Sequence, residues 1–214
     1  MEKKNIEDEL VSIRSMMERS SKFISLSGLS GIMAGVYALI GSGLAYLIVY
    51  RGTITIYDEL RRADPHAGVF YGGRDPVILL FWVAFGVLSA SMVTGIFLSY
   101  KKAKRKSQSI WNTTTRSLLF YSAIPLITGG LFMIIMLTRG YYGIVAPASL
   151  IFYGLAVISG SHYTFTDVKY LGILQIILGL IAALYPGYGL IFWALGFGVL
   201  HIVYGSIMYF KYDR

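Results

Sequence analysis

The chain contains no cysteine, which excludes a disulfide, a thiolate metal site and a cysteine nucleophile and leaves the redox compartment unread. Charge is also scarce: 14% of the 214 residues are charged, against about a quarter in a soluble domain. With 56% hydrophobic residues, this composition excludes a soluble globular domain and specifies a polytopic membrane protein. Carboxylates are missing where ion-coupled transport would need them, since all eleven Asp and Glu lie outside the hydrophobic runs. A proton- or sodium-coupled transporter normally holds a carboxylate at membrane depth, so only uncoupled passage stays open.

The net charge is nevertheless +8. The basic residues sit beside hydrophobic runs, where membrane orientation and anionic headgroups require them, so the partner they imply is lipid and no nucleic acid is expected. The first run follows a charged leader of mixed sign and exceeds a signal-peptide core in length, so it is expected to be retained.

The hydrophobic pattern predicts an all-α fold of six transmembrane helices, at about 23–50, 77–100, 117–138, 144–160, 168–185 and 189–210. Residues 1–22 carry Ile6, Leu10, Ile13 and Met17 at helical spacing, which predicts a short amphipathic cytoplasmic helix docked on its own protein, with self-association or membrane-surface binding as alternatives. Residues 51–76 form the longest connection, expected to be a partly ordered external cap. Asp64 and His66 within it are too few for a metal site, and no metal or cofactor is expected. Pro125 is placed to kink the third helix, and Pro186-Gly187-Tyr188 to turn a tight external hairpin before the sixth.

Fourteen of the nineteen Lys and Arg fall at the termini, in the second connection and, with Lys169, at the edge of the fourth. This asymmetry predicts cytoplasmic N- and C-termini in a bacterial cytoplasmic membrane. The basic connection 101–116 begins with Lys101, Lys102, Lys104, Arg105 and Lys106, a cluster expected to bind anionic headgroups, and Trp111 beside it belongs at the interface.

Within the first hydrophobic run, Ser27, Ser30, Gly31, Ala34, Gly35, Ala38, Gly41, Ser42 and Ala45 fall in an arc of roughly 140° on a helical wheel. Lipid tails give large apolar side chains no reason to leave, so other helices are expected to pack on this small-residue ridge. Three runs share a Gly-x6-Gly pattern, at Gly28/Gly35, Gly172/Gly179 and Gly198/Gly205. Phe81-Trp82 and Phe85-Gly86-Val87-Leu88 also resemble Phe192-Trp193 and Phe197-Gly198-Val199-Leu200. Together these favour an internal repeat of duplicated helical hairpins, three in all. The glycine-spaced hairpin with Tyr185-Pro186-Gly187 at its turn, ending near Gly205, resembles the HdeD-like group of small bacterial membrane proteins over about the last forty residues. The resemblance implies a six-span architecture and an association with acid resistance.

The fourth position of the repeat holds Gly31, Gln175 and His201. Gln175 and His201 lie on the small faces of their helices, and Ser30, Gln175 and His201 are all expected about 9 to 14 Å deep, counted at 1.5 Å per residue. They are candidates for a small polar ligand pocket, with Ser89 or Ser91 and Thr128, the alternative being interhelical hydrogen bonds that serve packing. Gly28-Leu29-Ser30-Gly31 matches the Gly-x-Ser-Gly of rhomboid intramembrane proteases. That group carries its serine in a later span facing outward, so a Ser30/His201 dyad is not the expected chemistry. His201 lacks a histidine at equal depth to share a haem. The expectation is a non-enzymatic membrane protein of envelope or stress type, acting through lipid or protein contacts, including a homo-oligomer or a membrane-protein partner. Binding or facilitated passage of a small neutral or weakly polar solute is the alternative.

Overall fold

The computed structural model describes residues 27–62, 76–105 and 111–213, and every described element is helical. The helices are α1 (Gly28–Arg62), α2 (Pro76–Arg105), α3 (Thr113–Thr138), α4 (Val145–Ser161), α5 (Val168–Leu184) and a composite α6 over 189–213. Five stretches are long and apolar enough to cross a membrane: Gly28–Val49, Ile78–Arg105, Thr113–Thr138, Tyr142–Ser161 and Gly189–Tyr212. α5, with 17 residues, is shorter. At 1.5 Å per residue it reaches about 25 Å, against a hydrocarbon core of about 30 Å. The amphipathic segment 1–22, residues 63–75 with Asp64 and His66, and Lys106 lie outside the described residues.

Most helix bounds fall within a few residues of the sequence expectation, but α1 does not stop at residue 50. Residues 51–62 of the expected external connection continue it to Arg62. The reason is local: no proline occurs between Gly28 and Pro65, and the lone Gly52 costs a helix only about 1 kcal/mol. Pro76 and Pro147 sit where a missing N–H is harmless, at the first position of α2 and in the first turn of α4. Pro125 lies inside α3.

The chain divides into two compact units. Ser99–Ile181 contains α3, α4 and most of α5. α3 starts on an Asn112 cap whose Oδ1 accepts from the Thr115 backbone N–H at 2.8 Å. It ends in a Schellman arrangement: Tyr141 N–H donates to Met136 O at 2.9 Å, Gly140 N–H to Leu137 O at 3.0 Å, and Gly140 takes φ +80°. α4 returns antiparallel, with Gly160 against Leu118 and Ser122 and Gly129 against the Phe152 ring. The Ser122 hydroxyl donates across to Ala156 O at 3.2 Å. α5 runs antiparallel to α4 in turn, through Gly154, Gly172 and Gly179.

The second unit joins Ser27–Leu98 to Ala182–Arg214. Here α1 uses two faces. Gly41 meets Val87 of α2, and Tyr37 shares a hydrogen bond of 3.2 Å with Thr94. The other face takes α6, where Gly28, Gly31 and Gly35 lie against Gly198, Ile202 and Gly205. The small-residue arc is therefore turned inward, with Ala38 at 2% exposure, while Ile40 on the large-residue side is 57% exposed. This inside-small, outside-large pattern is what helices packing in lipid require. Within each unit the helices make contacts in threes, and in the second unit these include the pairing of the first helix with the last.

Candidate functional site

His201 is the polar centre of the α1–α6 seam. α6 is α-helical over Gly189–Trp193, π-helical over Ala194–Leu200, α-helical again over His201–Met208 and π-helical over Tyr209–Asp213. In the π stretch backbone bonds shift to i→i+5, and the His201 side chain takes up a carbonyl at that spacing: Nδ1 lies 3.0 Å from Gly196 O. A carbonyl only accepts, so Nδ1 carries a proton and donates it to Gly196 O. The imidazole also stacks on Phe197, at 5.9 Å and 20° between planes, and Phe197 packs on Trp193. His201 is 7% exposed.

Ser30 lies one residue from Gly31, whose added Cβ would stand 3.6 Å from His201 O, so the fold sets both candidates on facing helices of one unit. Each turns to its own backbone, however: the Ser30 hydroxyl donates to Ser27 O at 2.5 Å while His201 donates to Gly196 O. Gln175 belongs to the other unit and is fully buried. It falls between Gly172 and Gly179 on the α4-facing side of α5, and a Cβ on Gly154 would come within 3.1 Å of its own Cβ. Of the further pocket candidates, Ser89 and Ser91 are half-buried and Thr128 is exposed. Among the described residues no three His, Asp or Glu side chains converge as a metal site would require.

The second candidate surface is the basic end of α2. Lys101, Lys104 and Arg105 are exposed, whereas Ala103 between them is completely buried. Lys102 reaches over the Phe165 ring, with Nζ 5.7 Å from its centroid, and so ties the end of α2 to the α4–α5 connection. Arg116 lies over the Trp111 ring at 5.6 Å and Lys169 over Tyr170 at 5.1 Å. Phe165 and Lys169 are the residues that sequence reading did not attach to the cluster, because more than sixty positions separate them from Lys102 and no periodicity links them. No family model matches the chain, and neither the curated proteins nor the solved structures contain a match to it.

Proposed function

We propose that this chain is a non-enzymatic integral protein of the bacterial cytoplasmic membrane, of envelope or stress type, with six spans and both termini in the cytoplasm. It acts through contacts with lipid and with other membrane proteins. The observation that carries this reading is the outward surface of α2: Phe81, Trp82, Phe85, Leu88, Met92, Val93, Ile96 and Phe97 are all more than half exposed, and the helix closes on exposed Lys101, Lys104 and Arg105. Apolar side chains along the helix and cations at its end suit a lipid-facing helix whose basic end meets anionic cytoplasmic headgroups. The resemblance of the last hairpin to HdeD-like proteins supports the six-span architecture of this reading.

Binding of a small neutral or weakly polar solute is the second reading, favoured by the burial of Gln175 and His201 on the inner faces of apolar helices. One experiment separates the two: native mass spectrometry of the protein released from mild detergent, wild type beside a Gln175→Ala/His201→Ala variant. Retained lipid, equal in both, is the expected result. A non-lipid small molecule present in the wild type and absent from the variant overturns the first reading in favour of the second.

A further inference from the structure

Helix ends distant in sequence meet at one end of the Ser99–Ile181 unit. The start of α3 is fixed beside the end of α4, because a Cβ on Gly160 would stand 2.6 Å from Ser122 Oγ and 2.9 Å from Leu118 Cδ1. Tyr163, just beyond α4, stacks on Tyr121 at 5.5 Å and 12° between planes. The antiparallel α4–α5 contact at Gly154 and Gly172 brings the start of α5 to the same end. The last turn of α2 is held there by buried Ala103 and by Lys102 over Phe165.

The consequence is a concentration of positive charge drawn from three helices. Lys101, Lys104 and Arg105 of α2 and Arg116 of α3 are exposed at this end, and Lys169 of α5 is half-buried there. Asp167 is the single carboxylate among the described residues of these segments. Trp111 and Tyr170, 62% and 56% exposed, stand beside the cations. Exposed aromatic rings where apolar helices begin mark the headgroup level, the depth at which phospholipid phosphates lie.

We infer that this end of the unit is a composite headgroup site for an anionic glycerophospholipid, built by Lys101, Lys104 and Arg105 together with Arg116 and Lys169. It rests on the lipid-contact reading above and deepens it: the cations of one helix end are three of the five in a site that the fold completes from two other helices. Lys102 is a positioning residue: its contact with Phe165 ties the end of α2 to the α4–α5 connection.

The test is titration of the delipidated full chain in neutral detergent with phosphatidylglycerol, or with phosphatidylcholine as the uncharged control, followed by native mass spectrometry. Wild type is expected to prefer phosphatidylglycerol. Lys101→Gln/Arg105→Gln and Arg116→Gln/Lys169→Gln are each expected to weaken that binding by about tenfold or more, and Arg116→Lys/Lys169→Arg to keep it. Loss in the first variant alone overturns the composite site and leaves the lipid-contact reading standing. Absence of any phosphatidylglycerol preference in the wild type overturns both. Displacement of the lipid by millimolar inorganic phosphate also overturns the proposal, by assigning the site to a soluble anion.

Discussion

Gly154 and Gly172 each face the other's carbonyl oxygen: a Cβ on Gly154 would lie 2.6 Å from Gly172 O, and a Cβ on Gly172 would lie 2.7 Å from Gly154 O. Neither atom is the far end of a flexible side chain, so a methyl group can be admitted only by parting two helix backbones. Gly154→Ala and Gly172→Ala are therefore expected to destabilise the protein by about 1–3 kcal/mol each. Gly130→Ala has open space around its Cβ and is expected to be neutral or to stabilise by about 0.5–1 kcal/mol, as Ala for Gly does inside a helix. Thermal unfolding in detergent distinguishes them, and equal midpoints for all three would remove the close-approach account.

The α1–α6 seam should show a graded response. An added Cβ on Gly205 would meet Ile32 N at 2.5 Å and Gly28 O at 2.8 Å, one on Gly31 would meet Gly205 Cα at 3.1 Å, and one on Gly43 meets nothing within 4 Å. Loss of stability is expected in the order Gly205→Ala, Gly31→Ala, Gly43→Ala, from about 3 kcal/mol down to none or a slight gain. The same unfolding series checks the order.

His201→Phe keeps a ring to stack on Phe197 and removes the Nδ1–H bond to Gly196 O. Loss of that bond in an apolar seam should cost about 0.5–1.5 kcal/mol. A variant as stable as wild type would show that the hydrogen bond does not hold the π-helical stretch together.

At the start of α3, Asn112 Oδ1 accepts from both the backbone N–H and the hydroxyl of Thr115, at 2.8 and 2.9 Å. Asn112→Ala is expected to lose about 0.5–2 kcal/mol and Asn112→Asp to keep most of the capping energy. Hydrogen exchange of the first-turn amides of α3 measures the effect locally.

Gly187 adopts φ +94° behind Pro186, the pairing a type II turn demands, and Tyr188 N–H closes it on Tyr185 O at 3.3 Å. Because nothing lies within 4 Å of an added Cβ, the cost of Gly187→Ala is conformational, about 1–2 kcal/mol. Gly187→Asn should recover part of it. Comparable midpoints for wild type and Gly187→Ala would show that the turn relaxes into another form.

How much was legible in the sequence depends on the range of the interaction. Helix bounds came from apolar run length, proline and glycine, which act over a few residues, and the one large departure, the run of α1 to Arg62, occurred where no breaker stands. The wheel of α1 showed which face would be buried, because in lipid only small residues let backbones approach. The glycine pairs at spacing seven marked contact seams, but not their partners: that Gly28 and Gly35 meet α6, and Gly172 and Gly179 meet α4, is a tertiary choice. The burial of Gln175 and His201 followed from neighbouring glycines, whereas the His201 bond to Gly196 needed the π-helical winding of α6.

The basic end of α2 shows the same division. The clustering of Lys101, Lys102, Lys104 and Arg105 directly after an apolar run was readable from position alone. That the Lys102 ammonium lies over the Phe165 ring was decided by the packing of the end of α2 against the α4–α5 connection. Sequence determined the apolar lengths, the charge asymmetry and the small-residue faces, since these are properties of single helices. Only the tertiary structure decided which face met which, because helix pairing depends on complementarity between two surfaces that no one segment encodes.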